Sequence, residues 1–137
     1  MFAVNVIAPA LLVKASVPLM TSGGRIVNIC STVMRGKPER TTYGASKAAL
    51  ASMTRAWALE LADRGILVNA INPGPVNAGM FRRSNPEGSE GERRALVTTP
   101  THRITESSEI ADLAQFLLRV ENRNLTGQVI TIDGGAT

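Results

Sequence analysis

Arg25-Ile26-Val27-Asn28-Ile29-Cys30 is a short, β-branched run preceded by Thr21-Ser22-Gly23-Gly24, the composition of a buried strand entered through a turn. The stretch from Thr42 to about Asp63 is dense in Ala, Leu and Met. It has no interior proline, and Gly65 stands just past its end, which predicts a helix with its stop signal. Ile66 to Ile71 repeats the strand signature and is closed by Asn72-Pro73-Gly74-Pro75. Strand, helix and strand in succession imply two parallel strands joined by a right-handed crossover.

The same reading extends outward. Residues 2–20 carry apolar side chains at helical spacing and predict a helix that kinks near Pro9 and ends around Met20. Residues 31–41 read as a polar loop with Gly36 and Pro38. Residues 77–104 are the least regular part, and 84–92, with Pro, Gly, Ser and Glu, have a mobile-loop composition. Thr105-Glu106-Ser107-Ser108-Glu109 starts a helix with hydroxyl caps and early acids, running to about Val120. Thr126-Gly127 turns the chain into a last strand, Gln128 to Ile132. The outcome is α/β: three parallel strands with flanking helices in a single domain, residues 1–137, without internal repeats.

Composition excludes several classes. At 137 residues and 44% hydrophobic content the chain buries a core and is not disordered. One cysteine rules out a disulfide framework and any cysteine-based zinc site, and no metal centre is expected. The apolar run from Phe2 to Val13 breaks at Lys14, too short for a bilayer span, and no basic segment precedes it as in a signal peptide. The expectation is a soluble cytoplasmic protein with no membrane contact. Net charge is +4, but the 15 Lys and Arg are dispersed, and one Tyr, one Trp and three Phe are too few for a stacking platform. A basic surface rather than nucleic-acid binding follows. His102 reads as a surface histidine, Cys30 as a small buried residue, and Arg82-Arg83 as part of a solvated loop. Trp57 and the Ala45, Ala49, Ala56 series suit helix packing.

The chemistry concentrates in Tyr43-Gly44-Ala45-Ser46-Lys47. Residues i and i+4 share a helix face, so Tyr43 and Lys47 stand one turn apart. A free tyrosine, with a pKa of about 10, is a poor base at neutral pH, and a neighbouring ammonium favours its phenolate. Such a pair moves a proton to or from an alcohol or carbonyl oxygen. Ser31 follows the first strand directly, at the end of the sheet where open α/β folds bind ligands, and is a candidate to hold that oxygen.

Gly24 to Ser31, Tyr43 to Leu50, Val68 to Val76, and Leu125 to Gly135 occur in an order and spacing that resemble the short-chain dehydrogenase/reductases. The resemblance covers nearly the whole chain except residues 79–102. It implies a partial Rossmann-like, doubly wound parallel sheet and an NAD- or NADP-dependent oxidoreductase acting on a small carbonyl or alcohol substrate. Tyr43 then matches the catalytic acid/base. Lys47 matches the lysine that assists it and bonds the nicotinamide ribose. Ser31 matches the substrate-polarising serine, and Asn5 the asparagine that holds a water in the proton relay. Pro73, Gly74 and Val76 match the loop against the nicotinamide, so Tyr43, Lys47 and these three are the expected cofactor contacts.

Two departures accompany the resemblance. Ala78 stands where the family usually has a threonine, and no glycine-rich turn follows a strand to hold a pyrophosphate. The chain corresponds to about the C-terminal half of a family member, which implies a truncated form that is inactive by itself. Two readings therefore stand together: an oxidoreductase, and a non-catalytic remnant or association module that binds no cofactor. The resemblance also sets the strand at 25–30 beside a further strand not found in these residues. An open edge, with the family's interface helices at 2–20 and 42–63, leads to a homo-oligomer.

Overall fold

The computed structural model describes residues 1–137. Its three strands, β1 (Arg25–Ile29), β2 (Leu67–Pro73) and β3 (Val129–Ile132), form one parallel sheet in the order β1-β2-β3. Arg25 pairs with Leu67 and Ile29 with Ile71, while Ala70 pairs with Val129 and Pro73 with Ile132. Every residue of β2 is buried, as a strand between two neighbours and two helical layers must be. Its hydrogen bonding runs two residues beyond the expected end at Ile71, through Asn72 and Pro73, because β3 continues alongside.

The period-2 alternation of the strands divides the packing. On one face Ile26, Val68, Ala70 and Cys30 meet Leu50, Trp57 and Ala58 of α2 (Thr41–Glu60) and Leu61 just past its end. On the other, α5 (Ser107–Leu118) lies against β1 and β2, with Leu117 almost wholly buried. The Arg25 guanidinium, on that second face, donates to the carbonyl of Asn122 at 2.6 Å just past the helix. Between α2 and β2 the chain reverses through a 3-10 turn, Ala62–Arg64, and Gly65 at φ +66°. A side chain is doubly unwelcome there: the left-handed backbone disfavours it, and its Cβ would lie 2.6 Å from Ser22 Oγ.

The first helix is not an α-helix kinked at Pro9. Ala3–Ile7 form a π-helical turn, α1 covers Ala8–Ser16, and Val17–Leu19 finish as a 3-10 turn. The Ala8 N–H reaches back five residues to Ala3 O. Pro9 explains the wide turn, since it offers no N–H to the Asn5 carbonyl four residues back and its ring crowds that carbonyl. The irregularity thus lies upstream of the proline, around Asn5. Helix α5 ends at Leu118 rather than Val120, and α2 at Glu60 rather than Asp63.

Residues 77–104 are more regular than their composition indicates. They hold α3 (Gly79–Ser84) and α4 (Glu90–Thr98), and the expected loop at 84–92 shrinks to the link between them. Ser89 caps α4 by accepting from Glu92 N at 3.2 Å, and the Glu92 carboxylate receives the Gly88 N–H and pairs with Arg82. The Arg82 guanidinium also donates to Asn77 Oδ1 at 2.5 Å, so Arg82 is a bound cation and not a solvated one. Ser89-x-x-Glu92 is the signal for this helix start, outweighed in the composition by Gly and Pro around it.

Asn69 staples β2 to the entry of β3. It is 2% exposed, donates to Leu125 O at 2.7 Å and accepts from Gln128 N at 3.1 Å. Asn69→Leu strands both backbone groups, and urea denaturation is expected to show a loss of about 2–4 kcal/mol. A loss below about 0.5 kcal/mol would mean the strand entry is held by the ladder alone.

Candidate functional site

The carboxyl ends of β1 and β2 deliver the candidate residues. Ser31, in extended conformation, caps the 3-10 turn Thr32–Arg35, its Oγ accepting from Val33 N at 3.4 Å. That turn sits directly on the first turn of α2. A Cβ at Gly44 would approach Val33 O to 2.7 Å, so only glycine lets the serine turn and the helix meet. Tyr43 and Lys47, both half-buried, flank this contact on α2.

Lys47 reaches across to the last residue of β1, donating from Nζ to Ile29 O at 2.7 Å. The same ammonium stands 5.9 Å from the centroid of the Tyr43 ring. Burial pulls the Lys47 amine below its ordinary value, an effect the neighbouring Cys30 sulfur opposes. Burial likewise pushes the Cys30 thiol up to about 11, with the Lys47 charge opposing. An ammonium has three donors, and the Ile29 carbonyl takes one.

Asn5 enters from the π-helical turn. Its Nδ2 donates to Ser46 Oγ at 3.0 Å, and that hydroxyl donates to Tyr43 O at 2.8 Å. Asn5, Ser46 and the Tyr43 backbone form one chain, so the structure joins Asn5 to the Tyr43–Lys47 helix. In the sequence Ser46 stands only as part of the motif. Its partner lies 41 residues away, a distance that no local pattern bridges.

The β2 exit forms the next wall. Pro73 is buried and Gly74 N donates to Ile132 O at 3.0 Å. A Cβ on Gly74 would fall 2.7 Å from Asp133 Cβ, which makes glycine obligatory for close packing. Asp133 is nearly buried, a condition that raises its pKa, yet hydrogen bonds from the Thr137 hydroxyl and the Gly135 N–H hold it low. Val76 pairs as a single bridge with Thr105, and Asn77 N donates to Thr105 O at 2.8 Å. This anchors the Pro73–Val76 loop at the same sheet end as Ser31.

Other groups stand apart. His102 is exposed, at φ 52°, with Nδ1 3.3 Å from Leu96 O. No cluster of His, Cys, Asp and Glu converges in metal-binding fashion, and no helix is long and apolar enough to cross a membrane. A cleft of about 340 Å³ runs between α1 and the unpaired edge of β1, with Asn5 and Lys47 among its lining residues. Around it Phe2, Val4, Ile7, Leu11 and Leu12 are exposed, and residues 3–19 contain no buried side chain.

The whole chain, residues 1–137, matches the family model described as enoyl-(acyl carrier protein) reductase. The 3-oxoacyl-[acyl-carrier-protein] reductase FabG of Thermotoga maritima is 42% identical over 113 residues, which cover 82% of this chain and 45% of that protein. The short-chain dehydrogenase/reductase FrzI of a Cladobotryum species is 37% identical over 138 residues, covering 96% and 54%. The crystal structure of a blue fluorescent protein from a metagenomic library, in complex with NADPH, superposes with a TM-score of 0.91 at 35% identity, covering 99% of this chain and 54% of that one. The chain spans about half the length of the curated relatives it matches.

The Cys30 environment sets a pH dependence. The folded thiol keeps its proton up to about 11, while an unfolded one loses it near the ordinary value of 9.0. Stability therefore falls as pH rises across that window, and Cys30→Ala flattens the fall. Below it the folded thiol is expected to react about a hundredfold more slowly with a disulfide reagent than after denaturation, since the thiolate is the nucleophile. Equal rates in both states would refute the buried, protonated thiol.

Proposed function

Because this chain belongs to the short-chain dehydrogenase/reductase family, we propose that it serves hydride transfer between a nicotinamide dinucleotide, NAD or NADP, and a small carbonyl or alcohol substrate. The observation that carries the reading is Lys47 at the end of β1, bonded to Ile29 O and facing the Tyr43 ring. Its two remaining donors suit a pair of ribose hydroxyls, so the donor set fits the nucleotide. The dinucleotide, when bound, supplies or accepts the hydride.

The protein's own groups handle the proton. In reduction the Tyr43 hydroxyl donates to the substrate oxygen, and in oxidation the phenolate takes the proton back. The Lys47 ammonium stands 5.9 Å from the centroid of that ring. Ser31 Oγ only accepts within the fold, so its own hydrogen is free to bond and orient the substrate oxygen. Asn5, whose carbonyl receives no N–H from Pro9, is the residue that would hold a water relaying protons behind Lys47. Pro73, Gly74 and Val76 are the residues that would hold the nicotinamide.

A second reading, an association module without cofactor, draws on the apolar surface of residues 1–19 and the free β1 edge. No strand followed by a glycine-rich turn occurs in these 137 residues, so the chain alone is expected to show little or no turnover. Fluorescence titration with NADH and NADPH separates the two. The oxidoreductase reading expects micromolar binding that Lys47→Met weakens about tenfold or more. Absence of binding by a well-folded chain favours the association module.

Any carbonyl reduction that the chain does support is expected to drop about 10²–10⁴-fold in Tyr43→Phe. Persistence of turnover in that variant removes Tyr43 from the acid/base role. Either reading leads to self-association, because an edge strand beside exposed Leu11 and Leu12 is a template for a second copy. Light scattering is expected to report a dimer or larger species that Leu12→Asp disperses. A monodisperse monomer of the parent chain would contradict this.

A further inference from the structure

Ser46 is wholly buried, and its hydroxyl has both of its roles occupied. It gives its single hydrogen to Tyr43 O and accepts from Asn5 Nδ2. A serine bonding back to its own helix is ordinary. The second bond is not, since Asn5 arrives from a separate helix, in the turn that Pro9 opens. With its hydrogen committed, Oγ presents only a lone pair to Asn5 and fixes which end of the amide faces it. Thr54, two turns further along α2 and also wholly buried, repeats the device: its hydroxyl donates to Leu50 O and accepts from Asn28 Nδ2, both at 2.9 Å. Thr54 ties α2 to Asn28 of β1, whereas Ser46 makes the same tie between Asn5 and Tyr43.

We propose that Ser46 is a positioning residue, which locks Asn5 against the backbone of Tyr43 and so holds the proton-relay group and the acid/base in one register. The assignment rests on the oxidoreductase reading of Asn5, Tyr43 and Lys47. Apart from Ser46, no side-chain bond links Asn5 to α2. Removing the hydroxyl leaves a half-buried amide unpaired and frees the π-helical turn to shift relative to Tyr43.

Tyr43 is the only tyrosine, so selective labelling reads its ring resonances, and their pH titration, without ambiguity. In the 137-residue chain, Ser46→Ala is expected to speed solvent exchange of the Asn5 side-chain amide about tenfold or more and to displace the Tyr43 titration. Ser46→Thr, which keeps the hydroxyl, retains both parent properties. Asn5→Leu, which removes the donor from the other side, reproduces the Tyr43 displacement even where Ser46→Ala folds poorly. Thr54→Ala serves as the control: it lowers the melting temperature and leaves the Tyr43 titration in place. Unchanged Asn5 exchange in Ser46→Ala, or faster exchange with an unmoved Tyr43 titration, overturns the assignment. Lys47→Met distinguishes the underlying reading. A Tyr43 titration indifferent to Lys47→Met defeats the acid/base pair and the positioning role with it, while one that responds to Lys47→Met but not to Ser46→Ala defeats Ser46 alone.

Discussion

The burial of β2 organises this molecule. All seven of its residues are removed from solvent, and a buried backbone must have its N–H and C=O groups paired. Parallel pairing to β1 on one side and β3 on the other meets that requirement. Parallel pairing in turn demands crossovers, and α2 and α5 supply them on opposite faces. The carboxyl ends of the strands are thereby aligned, and the loops leaving them, Ser31 after β1 and Pro73–Val76 after β2, open on the same side. Every candidate group other than Asn5 is placed by this single arrangement.

Helix α2 translates that arrangement into chemistry through contacts of unequal kind. Gly44 contributes by having no side chain, which allows the Ser31 turn to rest on the helix. Lys47 contributes charge, held against the terminal carbonyl of β1 at the cost of partial desolvation that lowers its own pKa. Ser46 contributes a fully used hydroxyl. Gly44, Ser46 and Lys47, within one motif, thus meet three different physical demands: close approach, a buried hydrogen-bond relay and a charge at a strand end.

The surface opposite this order is unfinished in its packing. Residues 3–19 bury no side chain, and the outer edge of β1 faces an open cleft instead of another strand. Asn5 and Lys47 border that cleft as well as the candidate site. Whatever covers the edge therefore lies next to two of the candidate residues.

The residues themselves determined the strand–helix–strand order, the parallel sheet and the Tyr43–Lys47 pair, because each depends on periodicity or on spacing within a single element. The family resemblance likewise lay in short motifs, and the match over residues 1–137 bears it out. Local composition misled at 84–92, where Gly and Pro concealed the Ser89–Glu92 cap and the Arg82 pairing that build α4. It also set the helical irregularity at Pro9, whereas the missing N–H acts four residues earlier. What only the tertiary structure decided were the contacts between distant segments: Asn5 on Ser46, Gly74 on Asp133, and Lys47 on Ile29. A hydrogen bond across 41 residues leaves no periodic trace in a sequence, since it depends on how two separate helices are set against each other.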